Sequence, residues 1–358
     1  MGVHYLQPLP RFGSRVYTEI QDFVVTFTSI LWEAMPFIVL GAVVAGVLEE
    51  VLPQELMGKI APKSALPAAI LGGLLGLIFP MCECGIVVVM RRLLRKGLPL
   101  ACCTSYMLAG PILNVVVILS TFVAFGGLKK DMSAYEMVGL RCGLGFVVAV
   151  VTGCVVHYFE KKHGAANLLT AVAAPPKPVK GGLSLGLVDA PEPAKPKSSL
   201  FTRLGNISQT TLHDFLDITV FLIIGAALAA FAKLYIDPNQ ITQLSREQPY
   251  LAIPLMMALA VVMCLCSEAD AFVAASFTEM TASSKLAFLV LGPMLDLKLL
   301  LMYTRVFKPR LIAVIVTCTV SQVLVYTLLV HGVYNPNPSA GGSTAPPTVV
   351  APTPAIGG

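Results

Sequence analysis

Apolar residues dominate eight segments of the chain, and more polar stretches separate these segments from one another. A helix needs about 20 apolar residues to cross the ~30 Å hydrocarbon core of a bilayer. The pattern therefore predicts an all-α, polytopic membrane protein with about eight transmembrane helices. The predicted helices cover Phe23–Leu48, Leu66–Met90, Leu98–Phe125, Ala134–Phe159, Asp214–Tyr235, Leu251–Phe277, Leu286–Val306 and Leu311–Val333.

The segments outside these helices divide the chain into parts. Residues 163–205 are rich in Pro and Lys, a composition typical of an exposed linker, here expected to be cytoplasmic. Residues 334–358 carry no charged side chain and are predicted to be a disordered tail. Residues 1–22 lack the apolar core and cleavage site of a signal peptide, so we expect a retained cytoplasmic tail. Two transmembrane halves remain, 23–162 and 206–333.

The two halves share short motifs at equal spacing. Cys82-Glu83-Cys84 corresponds to Cys264-Leu265-Cys266, and Gly110-Pro111 corresponds to Gly292-Pro293. Internal duplication is a common plan of transporters, which bind substrate near mid-membrane between the repeats. Four full crossings per half would make the repeats parallel, whereas a re-entrant Cys-bearing segment would make them inverted. The sequence leaves both arrangements open.

Composition excludes a water-soluble enzyme. Of 358 residues, 56% are hydrophobic and only 13% are charged, and the mean hydropathy is +0.79. A soluble protein of this length could not bury so much apolar surface. The loops that are cytoplasmic when the amino end lies inside carry more Lys and Arg than the others, although the loop with Arg305, Lys308 and Arg310 breaks the rule. We expect a multi-pass protein of a bacterial inner membrane with a cytoplasmic amino end.

Nine Cys residues lie in apolar segments, an odd number that argues against a disulfide framework. Residues two apart point to opposite sides of a helix but to the same side of extended backbone, so a C-x-C pair presents both sulfurs together where a helix is broken. We predict that the two pairs face one central cavity, unless these cysteines only pack as small apolar residues. The helix-breaking residues are Pro80, Gly85, Gly110, Pro111, Gly292 and Pro293.

Acidic residues inside apolar segments are costly and usually mark a transport pathway. Glu83, Glu268 and Asp270 lie within or next to the C-x-C segments, and we predict that they couple transport to proton uptake and release. The alternative is a structural role, with Arg141 or Lys298 neutralising a buried acid. Further acids of this kind are Glu33, Asp217 and Asp296.

Two stretches, Pro80-Met81-Cys82-Glu83-Cys84-Gly85 and Leu265-Cys266-Ser267-Glu268-Ala269-Asp270-Ala271-Phe272, resemble the predicted permease family of eight-span proteins, which includes organoarsenical efflux permeases. The resemblance extends over about residues 30–335, apart from the linker. It implies a permease that expels trivalent methylated arsenic. It also implies that this substrate is bound by Cys82, Cys84, Cys264 and Cys266.

We expect a secondary-active permease that exports a small thiophilic metal or metalloid compound, above all a trivalent organoarsenical, through a cysteine-lined site. Asn114 and Asp296, at corresponding positions after the Gly-Pro breaks, complete the predicted substrate site. The sequence contains no P-loop motif, and we expect no cofactor, no resident metal and no enzymatic activity. The expected partners are the substrate and membrane lipid, not nucleic acid, with homo-oligomerisation left open. Alternatives are a Zn or Cu permease, a metabolite or sulfur-compound permease, and a membrane thiol oxidoreductase.

Overall fold

The computed structural model describes residues 12–51, 64–79, 81–126, 132–171, 200–235, 249–278 and 280–334, together with Pro62 and Ala173. Within these residues every regular element is a helix, apart from one isolated bridge between Leu169 and Phe307. Pro80, the predicted helix break before the first Cys pair, lies outside the described residues. So do the predicted tail at 334–358, except Tyr334, and most of the predicted linker.

The first half of the chain forms two long helices with shorter ones between them. The helices are α1 (Phe12–Val51), α2 (Ala65–Ile78), α3 (Glu83–Arg95), α4 (Leu100–Ala109), α5 (Val115–Phe125), α6 (Ala134–His163) and α7 (Ala165–Leu168).

The second half shows nearly the same order of long and short helices. They are α8 (Leu200–Tyr235), α9 (Pro249–Met263), α10 (Asp270–Ser276), α11 (Ala282–Leu291), α12 (Leu297–Val306) and α13 (Pro309–Tyr334). Helices α1, α6, α8 and α13 are each long and apolar enough to cross a membrane. The predicted all-α, polytopic membrane fold is confirmed.

Local sequence explains where the long helices begin and end, as α6 illustrates. The Ser133 side chain accepts a hydrogen bond from the Glu136 backbone N–H, and the Glu136 carboxylate accepts one from the Ser133 backbone N–H, which forms a capping box. Lys161 and Lys162 lie in the last turn, where positive charge favours the helix dipole. Gly164 follows with a φ of 78°, which a glycine adopts without strain.

Helices α2 and α3 form a hairpin that turns back in the middle of the molecule. Gly72 lies against Cys102 and Gly76 lies against Gly110, so α2 and α4 run side by side in the same direction. Helix α3 then runs back and reaches the start of α4 through a short turn. Both ends of the hairpin therefore lie at the end of the molecule where α4 begins.

The two ends of the molecule are defined by the helices that finish there. Glu49, near the end of α1, pairs with Lys96 just after α3. Leu169 and Phe307, which follow α6–α7 and α12, meet at the same end. We name this the linker end, because α6 finishes and α8 begins there. The opposite end, where α13 finishes at Tyr334, is named the terminal end.

Helices α9 and α10 form a second hairpin, which enters from the terminal end. Ser283 in the first turn of α11 hydrogen-bonds His331 near the end of α13, at 2.8 Å. Helix α9 packs along α11, and Ala260 near its end lies against Gly292 just after α11. Both helices thus run from the terminal end to the middle of the molecule. Helix α10 then leads the chain back toward the start of α11.

The two Cys-bearing segments are therefore re-entrant, the arrangement that the sequence left open. The predicted helices Leu66–Met90 and Leu251–Phe277 each turn back midway. The other apolar segments run from end to end, either as one long helix or as the broken pairs α4–α5 and α11–α12. Helix α1 runs toward the linker end and α8 runs toward the terminal end, so the two halves are oppositely oriented.

The structure gives the predicted helix-breaking residues two different roles. Gly110 and Gly292 directly follow α4 and α11, and the Pro after each lies in the turn, where it has no N–H to continue the helix. Gly85 instead lies inside α3, because that helix begins at Glu83. Gly85 permits a close crossing with α1: a Cβ added to Gly41 would lie 2.7 Å from the Gly85 Cα.

Candidate substrate site

The tips of the two hairpins meet at a small cavity of about 10 Å³ in the middle of the molecule. The first tip contributes three consecutive residues, Cys82, Glu83 and Cys84. The second tip contributes Cys266, and Lys298 at the start of α12 completes the polar lining. The remaining wall is one face of α1, formed by Ile30, Glu33, Ala34 and Phe37.

Backbone geometry at the first tip places both sulfurs in the cavity. Cys82 is the N-cap of α3, with extended backbone at φ −69° and ψ 166°, and Cys84 lies in the first turn of that helix. The change from extended to helical backbone lets residues two apart face the same way. Both residues belong to the cavity lining. The prediction that a helix break brings this pair together agrees with the geometry.

The backbone at the second C-x-C pair directs the side chains of Cys264 and Cys266 to different places. Cys264 has a φ of +49°, the only positive value for a non-glycine among the described residues, and this left-handed conformation is costly for a residue with a Cβ. Its side chain packs against Ile30, Ala226 and Ala229 rather than lining the cavity. The structure therefore brings together three of the four predicted sulfur ligands and leaves Cys264 to one side.

Lys298 connects the two halves at the cavity. Its Nζ donates a hydrogen bond to Glu83 Oε1 at 2.9 Å and to the Cys264 carbonyl at 3.3 Å. Asp296 Oδ2 lies 3.5 Å from the same ammonium group. A buried ion pair is stable only when both partners are present, so Lys298 fixes the first tip relative to α12. This agrees with the alternative that Lys298 neutralises a buried acid.

Two carboxyl groups lie near the Cys266 thiol. Cys266 donates a hydrogen bond to Glu268, two residues further along the second tip. Glu33 on α1 lines the same cavity close to this thiol. Of these acids, Glu268 was selected from the sequence for proton coupling, and Glu33 was noted only as an acid within an apolar segment. A charged residue inside an apolar run was the signal for both Glu33 and Lys298.

Asp270 lies away from the cavity, in a buried ion pair. Arg141 donates to both Asp270 oxygens, at 2.9 and 2.7 Å. The same guanidinium also donates to Thr121 Oγ1 at 2.6 Å and to the Ser267 carbonyl at 3.3 Å. Arg141 therefore attaches the second tip to α5 and α6. This geometry agrees with the structural alternative for Asp270, in which Arg141 neutralises it.

Asn114 and Asp296 occupy corresponding positions as the N-caps of α5 and α12. Asn114 accepts from the Val116 N–H at 3.0 Å, and Asp296 accepts from the Leu299 N–H at 2.6 Å. Capping satisfies backbone donors that the helix leaves free. Neither residue lines the cavity. Within the described part of the chain, no group of three or more His, Cys, Asp or Glu side chains is arranged to hold a metal ion.

A second charged cluster lies between the cavity and the linker end. Arg91 binds Asp214 at 2.5 Å and also binds Asp217, while Arg92 binds Asp214 at 2.7 Å. Arg305 at the end of α12 binds Asp217 at 2.6 Å. We name these five residues the linker-end cluster. It joins α3 of the first half to α8 and α12 of the second.

Comparison with known proteins gives consistent matches over most of the chain. A family described as predicted permease matches residues 19–332. The UPF0718 protein YcgR of Bacillus subtilis is 34% identical over 307 residues, which are 86% of this chain and 96% of that protein. A Streptococcus mutans protein, described as a candidate subunit of a two-component membrane permease complex, is 31% identical over 305 residues, 85% of this chain and 93% of that protein. No solved structure matches the chain significantly.

Proposed function

The chain belongs to the predicted permease family, and on that premise we propose that this membrane permease is a secondary transporter that exports a small thiophilic compound through the central cavity. The observation that carries the proposal is the meeting of three thiols from two oppositely oriented hairpins, Cys82 and Cys84 from one and Cys266 from the other. Thiols are soft ligands and select soft metals and metalloids.

Trivalent methylated arsenic is the favoured cargo because its chemistry fits two facing thiols. Monomethylarsonous acid has two As–OH bonds. Each thiol replaces one of them by an As–S bond, and the thiol proton leaves with the hydroxyl as water. Arsenic remains trivalent, so the step needs no oxidant or reductant. A cargo joined to Cys266 and to Cys82 or Cys84 would span both tips.

The arrangement of the hairpins supports transport by alternating access. Oppositely oriented halves with broken or re-entrant segments at a central site are a recurring plan of secondary transporters. In the proposal, one half rocks against the other, and the cavity opens to the two ends in turn. The ion pair of Lys298 with Glu83 and the linker-end cluster are the contacts between halves that such a movement must change.

The distribution of basic residues supports a direction for export. Because the Cys-bearing segments are re-entrant, Arg305, Lys308 and Arg310 lie at the linker end, and the positive-inside rule then favours a cytoplasmic linker end. The amino end would face outward, in contrast to the expectation from eight full crossings. The other described basic residues toward the linker end are Arg91, Arg92, Arg95, Lys96, Lys161, Lys162 and Arg203, against Arg15, Lys233 and Lys285 toward the terminal end.

A soft or divalent metal ion is the second candidate cargo. Sulfur and oxygen donors suit zinc, and Cys266 contacts the Glu268 carboxyl group, although the described residues include no ready-made group of three metal ligands. The description of the Streptococcus mutans relative extends the proposal to a second subunit that would work with this chain. Co-purification of the tagged chain from its own host tests that extension.

Binding of monomethylarsonous acid to the purified full-length protein tests the function directly. We expect an arsenical adduct in the intact mass spectrum of the wild type, and at least a tenfold loss of affinity in Cys266→Ala and in the double variant Cys82→Ala with Cys84→Ala, about 1.4 kcal/mol or more. Cys264→Ala is the matched control from the same tip, and Cys154→Ala is a distant one. Both should retain the adduct, because neither side chain lines the cavity.

Equal binding by the wild type, by Cys266→Ala and by the Cys82→Ala, Cys84→Ala double variant would remove the thiols from the mechanism. Protection of the same thiols by Zn or Cu(I), with no arsenical adduct, would favour the second candidate. Reversible oxidation of the cavity thiols during turnover would instead support a thiol oxidoreductase. Reporter fusions at the amino end and within 174–199 test the orientation, and a cytoplasmic amino-terminal reporter would contradict the outward-facing amino end.

A further inference from the structure

The central cavity contains more acidic than basic groups. Glu33 and Glu83 line it, and Lys298 is the basic residue in its wall. Glu268 and Asp296 lie just behind the lining, in contact with Cys266 and near Lys298 respectively. A neutral arsenical brings no charge into this site. Ionised groups away from water are costly unless a counter-charge is present.

One carboxylate oxygen in the wall has no protein partner. Glu83 Oε1 accepts from Lys298, but the buried Oε2 accepts no hydrogen bond. The Glu83 side chain is only 3% exposed. An unsatisfied buried acceptor costs the full desolvation free energy of that atom, more so when it is charged. The site is therefore incomplete on the side of Glu83 that faces away from Lys298.

Glu33 provides a second carboxylate in the same wall. Among the described residues, no Lys or Arg lies within ion-pair distance of it, and it shares the cavity wall with Cys266 and Glu83. The charged or titratable groups that face Glu33 come from four neighbouring elements. They are Glu83 on the first tip, Cys266 and Glu268 on the second tip, Lys298 on α12 and Lys233 on α8.

We infer that Glu33 and Glu83 Oε2 form a binding site for a monovalent cation, sodium or a proton, and that this cation is the coupling ion of the permease. The inference rests on the proposed function for its cargo. The cation supplies the positive charge that Lys298 alone does not provide. Carboxylate oxygens are suitable ligands for sodium, and they also take up protons.

Cargo and cation exclude each other at this site. Glu83 lies between the two cysteines of the first tip, and Glu33 lies close to the thiol of the second tip. A cargo joined to sulfurs of both tips would lie in the cavity that these carboxyl groups line, so we expect it to compete with the cation. Cation entry from outside would then favour cargo release, and each ligand must weaken the other's binding by the same factor.

Thermal unfolding of the detergent-solubilised full chain, without any cargo, tests the cation site by itself. Sodium in place of choline at constant pH, or a lower pH without sodium, should raise the Tm of the wild type. Glu33→Gln should abolish the response, and it leaves the Lys298–Glu83 ion pair intact. Glu19→Gln, a change at an exposed position of the same helix, should retain it. The condition that raises the Tm, added sodium or lowered pH, identifies the bound cation as sodium or the proton.

Arsenical binding then tests the coupling. The responding cation should weaken the affinity of the wild type for monomethylarsonous acid about tenfold, and Glu33→Gln should bind the arsenical with no dependence on that cation. A wild-type Tm that ignores both sodium and pH would overturn the inference, whether or not arsenic binds. An unchanged response in Glu33→Gln would also overturn it. If no arsenical adduct forms but the cation response still depends on Glu33, the result would contradict the proposed cargo and not the cation site.

Discussion

Buried charged side chains decide how the second hairpin tip is held. Asp270 is 2% exposed and Arg141 is 1% exposed, and they form a hydrogen-bonded ion pair with further contacts to Thr121 and Ser267. The desolvation of two charges offsets much of their attraction, so the pair contributes little net stability. Removing one partner has a much larger effect, since the other then remains buried and unpaired.

Arg141→Met should therefore destabilise the protein by about 3–5 kcal/mol, measured as a lower Tm in detergent. The double variant Arg141→Met with Asp270→Asn should recover part of this loss, because no unpaired charge remains. Arg310→Met removes an exposed arginine and is the control, with an expected change near zero. A single variant as stable as the wild type would show that Asp270 is not held by this pair.

At the scale of helices, the first tip is positioned by a glycine-to-glycine crossing of α1 and α3. A Cβ on Gly85 would lie 3.0 Å from the Phe37 carbonyl, and Phe37 lines the cavity. The crossing therefore sets the distance between the wall formed by α1 and the tip that carries Cys82 and Cys84. Small residues allow this close approach of helix backbones within membranes.

Gly41→Ala should separate these helices, because the added Cβ would lie 2.7 Å from backbone and no side chain can move aside. We expect lower stability, by about 1–3 kcal/mol as for other overpacked positions, and weaker arsenical binding. Gly139→Ala in α6 is the matched control, because nothing lies within 4 Å of its Cβ position. Equal Tm and binding in both variants would show that the crossing does not set the site geometry.

Across the whole molecule, we expect the linker-end cluster to close the route between the cavity and the linker end. Its arginines come from α3 and α12 and its aspartates from α8, and α3 and α12 also carry Glu83 and Lys298 at the cavity. Arg91 and Asp214 are almost fully buried, at 2% and 1% exposure. An opening toward the linker end must break these ion pairs.

Asp214→Asn should weaken this closure. We expect faster labelling of Cys84 and Cys266 by a membrane-impermeant thiol reagent added from the linker side of oriented vesicles. Glu160→Gln is the control, since Glu160 lies near the same end but outside the cluster. Labelling at the wild-type rate would place the barrier elsewhere.

Local properties of the sequence were sufficient to predict much of the fold and part of the candidate site. Helical content follows from apolar segments of sufficient length, and the breaks of α4 and α11 follow from Gly-Pro pairs that cannot continue a helix. Cys82 and Cys84 face the same way because α3 begins between them, where extended backbone changes to helical backbone. Charged residues within apolar runs indicated Glu83 and Glu268 as groups near the site.

Tertiary structure alone decided the direction of each hairpin, because apolar length is the same for a crossing and for a segment that turns back. It also separated Cys264 from Cys266, since a single left-handed residue reverses where a neighbouring side chain points. The partners of Asp270 and Glu83 are Arg141 and Lys298, which are far away in the sequence. Such contacts depend on how whole helices pack, and no short stretch of sequence contains that information.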